Sequence, residues 1–88
     1  MSKFSMGQMV ETANAIHTLD AKSVEHALTL YVNCNWGDTN EADAKMNDEA
    51  VTSGNQILAV YKDSKGTPFW IITEWDRSVT TILLPEDY

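Results

Sequence analysis

Residues 56–84 read QILAVYKDSKGTPFWIITEWDRSVTTILL, and this stretch decides the fold. β-Branched and aromatic residues recur through three runs, which is typical of β-strands. The segment Asp63–Gly66 between the first two runs suits a type I turn followed by a glycine bulge. Pro68 begins the second run, where a missing N–H donor does least harm. With a tight connection at Asp76–Arg77, the stretch predicts a three-stranded antiparallel meander.

The register of this meander makes both faces of the sheet apolar, because side chains alternate between the faces. Three short helices cover one face of a small sheet, so the second face needs an N-terminal segment, a twin subunit or a partner. The face predicted to meet the helices carries Ile57, Ala59, Tyr61, Phe69, Ile71, Thr73, Ile82 and Leu84. The second face carries Thr81 and the candidate dimer-face residues Leu58, Val60, Trp70, Ile72 and Leu83.

Three helical patterns precede the strands. Thr12 and Asn40 are predicted to cap the first and third helices, and Asp20 or Ser23 the second, since each can accept a hydrogen bond from the first turn. Gly54 is predicted to end the third helix in the left-handed conformation. Gln8–Val10 is predicted only as a short extended piece. One face of the third helix is predicted to carry Ala42, Met46 and Ala50.

These elements make one α+β domain over residues 1–88, with about three N-terminal helices (12–54) packed on the antiparallel meander (56–84). No apolar run approaches the length of about 18 residues that suggests a membrane span. The N-terminus lacks the long apolar stretch of a secretory signal. The single cysteine, Cys34, cannot form an internal disulfide. A reducing location inside the cell, the cytoplasm, is therefore predicted.

The net charge narrows the classes of partner. The chain has 13 acidic and 6 basic residues, which give a formal charge of −7. A protein that binds a phosphate backbone needs a basic surface, so direct nucleic-acid binding is not expected. An acidic surface can instead dock into a basic groove of another protein. The same charge also serves solubility alone.

Few residues point to catalysis. His17, His26 and Cys34 lack a partner at ligand or catalytic spacing, and no cofactor or metal is predicted. The acids of NWGDTNEADAKMND do not follow the calcium-loop pattern. The protein is therefore predicted not to be an enzyme. The alternative active site is the TEWDRS hairpin, with Glu74 or Asp76 as base, Arg77 as anion clamp and Ser78 beside them. The same residues also suit a turn.

The pattern NWGD…ND…G…IL..Y…G…W.ITE.DRS.TTILLPE.Y resembles a family of small bacterial proteins called plasmid-related proteins. Some members carry the label type I restriction endonuclease subunit M. The resemblance covers nearly the whole chain, from MGQMVET to LLPEDY, and implies residence on mobile elements or in bacterial genomes near them. An acidic chain of this length is too short for the methyl-donor domain of a modification subunit. The residues that fit are Trp36, Gly37, Asp38, Asn47, Asp48, Tyr61, Trp70, Ile72, Thr73, Glu74, Asp76, Arg77, Ser78, Thr80, Thr81, Leu83, Leu84, Pro85, Glu86 and Tyr88.

The chain departs from the family pattern at four positions. Members read RH..GDWG where this chain reads LYVNCNWG, so Tyr31 replaces a histidine, Cys34 a glycine and Asn35 an aspartate. Trp75 stands where members have alanine in TEADRS. If the family's histidine and aspartate did chemistry, this chain has lost it. We interpret Tyr31, Cys34 and Trp75 as a surface turned to binding.

These features favour an acidic binding protein of a phage or mobile element. The predicted activity is anti-CRISPR or anti-restriction: it binds a host CRISPR effector or restriction enzyme by protein–protein contact and occupies its basic groove. Aromatic residues would anchor the contact and acids would steer it. The alternatives are a small enzyme or nucleotide-handling protein at the TEWDRS hairpin, and a structural homodimer. The predicted partner-binding residues are Trp36, Asp38, Glu41, Asp43, Glu74, Trp75 and Asp76.

Overall fold

The computed structural model describes residues 3–88, which form three α-helices and one four-stranded mixed sheet. The strands are β1 (Gln8–Glu11), β2 (Ile57–Lys62), β3 (Pro68–Thr73) and β4 (Val79–Leu83), in the order β1-β4-β3-β2. The helices are α1 (Ala13–Thr18), α2 (Ala21–Val32) and α3 (Glu41–Ser53), and a 3-10 turn spans Pro85–Asp87. None of the helices in this described range is long and apolar enough to cross a membrane.

The predicted helix starts are confirmed, with Asp20 and not Ser23 as the cap of α2. The side chains of Thr12, Asp20 and Asn40 each accept a hydrogen bond from the backbone N–H three residues ahead. Gly54 ends α3 with a φ of 86°, in the left-handed region. These ends form where predicted because a cap depends on residues that are neighbours in the sequence.

The α+β class is confirmed, but the predicted three-stranded antiparallel sheet is wrong in one respect. The meander is present, with Ala59 opposite Ile71 and Ile71 opposite Ile82, as the predicted register requires. The predicted extended piece at Gln8–Val10 is part of β1, which pairs in parallel with β4 and adds a fourth strand. β1 pairs with a strand near the other end of the chain, so no turn signal beside it in the sequence indicates its position in the sheet.

The predicted inner face of the sheet packs against the helices in one hydrophobic core. Next to it the rings of Phe4, Tyr31 and Trp36 form an aromatic cluster, with centroids 5.4 Å apart for Phe4–Tyr31 and 5.5 Å for Tyr31–Trp36. The Tyr31 hydroxyl lies 2.7 Å from that of Thr73, which lies 2.8 Å from that of Thr80. Burial raises the pKa of Tyr31, so it stays protonated. The interpretation of Tyr31 as a binding surface is therefore corrected, because its side chain is wholly buried.

The second face of the sheet is partly covered by the chain itself. Ile72 and Leu83 are buried, although the core that joins sheet and helices does not include them. The Trp70 ring meets the ring of Tyr88 edge to face, with centroids 5.4 Å apart. Leu58, Val60 and Trp70 remain half-buried. The candidate dimer face is thus narrower than the sequence predicted, since only these three of its five residues retain accessible surface.

Cys34 closes α2 in a conformation that favours glycine. Its φ is 63°. The N–H of Cys34 donates to the carbonyl of Tyr31 at 3.0 Å, and the N–H of Asn35 donates to that of Leu30 at 2.9 Å. These are the two hydrogen bonds of a Schellman motif, whose left-handed position is usually glycine. The glycine that the resemblance places here fits that geometry.

We expect Cys34→Gly to be more stable than Cys34→Ala by about 1 kcal/mol, because glycine lacks the Cβ penalty of the left-handed conformation. The free energy of unfolding of both variants is measured by urea denaturation. Alanine is the matched control, since it also removes the thiol from its half-buried place but keeps a Cβ. Equal stability of the two variants would contradict a strained backbone at this position.

Candidate interaction surface

The acids that the sequence singled out begin α3. Glu41 and Asp43 lie in the first turn, where the helix dipole favours negative charge, and Asp38 precedes the Asn40 cap. All three carboxylates are exposed, as is that of Glu49 further along the helix. We call Asp38, Glu41, Asp43 and Glu49 the acidic face. Asp43 and Glu49 line one side of α3, whereas Glu41 lines another side together with Lys45, so the negative charge surrounds the helix start rather than forming one stripe.

An exposed methionine lies between these acids. Met46 has 64% of its surface exposed. Together with Leu58 it lines a groove of about 290 Å³ between α3 and β2, which Asp43 and Glu49 also line. An apolar centre with acidic margins complements an apolar side chain flanked by lysine or arginine. The sequence did not identify Met46 as a contact residue, because the helical spacing groups it with Ala50, which is buried.

The two tryptophans of the predicted contact set differ in placement. Trp36 is only 5% exposed, and its Nε1–H donates to Asp48 Oδ1 at 2.8 Å. Its predicted role as a partner anchor is corrected, because the ring lies in the aromatic cluster with Tyr31. Trp75 is 68% exposed in the β3–β4 connection. Trp75 is therefore the aromatic side chain of the set that a partner can reach.

Arg77 holds the hairpin that presents Trp75. Its Nη1 donates to the carbonyls of Asn55 at 2.8 Å and Glu74 at 3.0 Å, and its Nη2 donates to that of Ala50 at 2.6 Å. The guanidinium also lies 6.0 Å from the centroid of the Phe4 ring. The N–H donors that Arg77 would need as an anion clamp thus bind backbone carbonyls. Two of these carbonyls lie at the end of α3 and one lies in the hairpin itself.

The other polar groups of the TEWDRS hairpin also serve the turn. The N–H of Ser78 donates to Asp76 Oδ1 at 3.0 Å, and the hydrogen bonds from Ser78 lower the pKa of Asp76. The N–H of Arg77 donates to the carbonyl of Glu74 at 2.9 Å. These contacts favour a turn-forming role for Glu74, Asp76, Arg77 and Ser78 over the alternative active site.

The exposed contact residues form two groups at the two ends of α3. Asp38, Glu41 and Asp43 lie at its start, whereas the bonds of Arg77 place the Trp75 hairpin at its end. A helix of 13 residues is about 20 Å long at its usual rise. Both groups, with Met46 between them, fit within a standard interface of about 800 Å² per partner.

The remaining candidates do not assemble into a reactive site. His17 and His26 are exposed on α1 and α2, and burial, with the charge of Asp48, raises the pKa of the half-buried Cys34. No three metal-binding side chains gather within residues 3–88. A cavity of about 480 Å³ between α2 and β2 is lined by residues of both charge signs, which favours no class of ligand. They are Asp20, Lys22, His26, Asp38, Lys62 and Asp63.

No family model, curated protein or solved structure matches the chain. The resemblance to plasmid-related proteins therefore stays a prediction drawn from the motif. The function has to be inferred from the surface of the chain itself, whose most distinctive part is the acidic face with Met46 and Trp75.

Proposed function

We propose that the protein is an acidic binding module that inhibits a host nuclease defence, a CRISPR effector or a restriction enzyme, by protein–protein contact. One observation supports this above all. The helix α3 carries Glu41, Asp43, Glu49 and the exposed Met46, Asp38 lies just before it, and the hairpin at its end presents Trp75. Nuclease grooves are basic because they neutralise phosphates, so ordered carboxylates can compete for them.

The two kinds of residue have different tasks in this proposal. The carboxylates of the acidic face steer the encounter and make it sensitive to salt. Trp75 anchors the complex, since aromatic side chains often carry a large share of binding energy. Asp76 beside it is exposed and Glu74 half-buried, so the anchor has an acidic margin of its own. Arg77 keeps the hairpin rigid, which reduces the entropy lost on binding.

The origin of the protein is the less direct part of the proposal. Residence on a phage or mobile element follows from the resemblance to plasmid-related proteins alone. Such an element benefits from disarming the nucleases of its host, and those nucleases act in the bacterial cytoplasm. We therefore propose the cytoplasm of the host cell as the place of action.

The test is inhibition of DNA cleavage by a panel of purified CRISPR effectors and restriction enzymes. We expect the protein to bind and inhibit a member of the panel. Glu41→Lys combined with Asp43→Lys is expected to weaken that binding about tenfold or more, because both changes put repulsive charge against a basic groove. Affinity is measured by biolayer interferometry at low and physiological salt. Trp75→Ala is expected to act mainly on the dissociation rate.

The matched control is Glu25→Lys combined with Glu86→Lys. It changes the net charge by the same amount at exposed positions outside the acidic face. We expect it to alter affinity much less than the α3 variant. Equal losses in both variants would show that net charge acts without a defined surface, and a panel that is neither bound nor inhibited would reject the proposal.

A further inference from the structure

The β2 edge of the sheet is covered by the chain. Asn47 Oδ1 accepts a hydrogen bond from the N–H of Leu58 at 3.2 Å, and Asn47 Nδ2 donates to the Leu58 carbonyl at 2.8 Å. Thr39 Oγ1 accepts from the N–H of Val60 at 2.9 Å, and the N–H of Asp38 donates to the Val60 carbonyl at 2.7 Å. The outward backbone groups of Leu58 and Val60 are therefore satisfied, which protects the middle of this edge from pairing with another strand.

The β1 edge is open. Among the described residues β1 pairs with β4 alone. The N–H groups of Gln8 and Thr12 donate to β4 and the residues next to it, so the alternation of a parallel pair directs the N–H and C=O groups of Met9 and Glu11 away from the sheet. Met9 and Val10 are 43% and 40% exposed. The strand contains no proline, lysine or bulge, so only its length of 4 residues and the charge of Glu11 blunt the edge.

Acidic groups lie at both ends of this open edge. Gln8 bonds to Ser78, beside Asp76, at one end. At the other end stands Glu11, and Thr12 Oγ1 donates to Asp87 Oδ2 at 2.7 Å. A second copy of the chain would bring its own acids against these, whereas a strand with basic residues would complement them. The charge therefore favours a basic partner over a twin.

We infer that β1 accepts an extended segment of a basic partner protein as a fifth strand of the sheet. The inference rests on the proposed function and adds a second contact with the same partner, because β1 is the edge of the sheet opposite β2, which α3 covers. Backbone hydrogen bonds at Met9 and Glu11 supply affinity, as in other cases of strand addition. The side chains of Met9 and Val10 point to opposite faces, so both meet the partner's side chains, while Lys or Arg residues meet the acids.

Amide hydrogen exchange, followed by NMR on the whole protein, tests the inference. The probe is a blocked peptide of alternating valine and lysine at millimolar concentration. We expect the amides of Met9 and Glu11 to exchange about tenfold more slowly or slower with the peptide, because they gain hydrogen bonds. The amide of Val10, which faces β4, is expected to change little. A peptide of alternating valine and glutamate is expected to protect neither.

Met9→Pro removes the outward donor without removing a bond to β4, so we expect it to abolish the protection at Glu11. Met9→Lys places a charge on the edge and is a second blocking variant for the case that the proline variant does not fold. Protection elsewhere, no protection, or equal protection by the glutamate peptide would overturn the inference. Dimerisation through β1 without peptide would assign the edge to a second copy and overturn it as well.

The two proposals fail separately. Nuclease binding that the α3 variant loses and Met9→Pro retains in full would reject strand addition while supporting the binding module. Peptide protection of Met9 and Glu11 in a protein that inhibits no nuclease would support strand addition to a basic segment and reject the proposed target.

Discussion

Replacement of Gly7 by alanine is expected to lower the free energy of unfolding by about 3 kcal/mol, because overpacking and a strained backbone act together. Gly7 has a φ of 63°. A Cβ at this position would lie 2.4 Å from the carbonyl oxygens of both Arg77 and Ser78. Both atoms belong to the backbone and cannot rotate away. Relief of this clash by moving β1 off β4 would break the hydrogen bond from the Gln8 N–H to the Ser78 carbonyl, now 3.0 Å long.

Gly66→Ala is the matched control for this prediction. Gly66 has a φ of 85°, but nothing lies within 4 Å of the place that its Cβ would take. Gly66→Ala should therefore lower the free energy of unfolding by only about 1 kcal/mol, the cost of a Cβ in the left-handed conformation. Urea denaturation of both variants gives the comparison. Equal losses would mean that the N-terminal segment does not press against the β3–β4 hairpin as the structure shows.

The parts of the fold that could be predicted from the sequence are those set by local signals. Thr12, Asp20 and Asn40 mark helix starts because a cap bonds to residues three positions ahead. The meander follows from runs of strand-forming residues joined by short turns. β1 could not be placed, since its partner β4 lies near the other end of the chain. The structure reveals the pairing, with Gln8 opposite Val79.

The candidate surface was predictable in its charge but not in its apolar residues. Acids at a helix start stay in solvent wherever the helix packs, so Glu41 and Asp43 were identified from the sequence. Trp36 and Trp75 look alike in a sequence, and only the packing of α2 against the sheet decides which is buried. The helical spacing of Met46 groups it with the buried Ala50. Asn47 takes the inward position instead, because its side chain bonds to the backbone of Leu58 on β2, a partner that the helix sequence does not reveal.

The motif that carries the resemblance to plasmid-related proteins falls largely on contacts that hold the fold. Trp36 bonds to Asp48, Thr73 bonds to Thr80, and Asn47 covers the edge of β2. Trp75, an exposed departure from the motif, belongs to the proposed contact surface instead.

Loss of the Arg77 side chain is expected to have the second large effect on stability. Arg77→Ala should lower the free energy of unfolding by about 3 kcal/mol, because charge-assisted hydrogen bonds contribute about 1.5–3 kcal/mol each and water replaces part of that loss. The guanidinium joins the carbonyls of Ala50, Asn55 and Glu74, and so fixes the hairpin to the end of α3. Urea denaturation measures the change.

Arg77→Gly separates the effect of losing the side chain from the effect of backbone strain. Arg77 has a φ of 61°, so glycine removes the same hydrogen bonds but also relieves the left-handed strain of about 1 kcal/mol. We expect wild type to be the most stable, Arg77→Gly intermediate and Arg77→Ala the least stable. A stable Arg77→Ala protein would show that the guanidinium does not hold the fold. Its donors would then be available to an anion. That result would favour the TEWDRS hairpin as an active site over the acidic face as a docking surface.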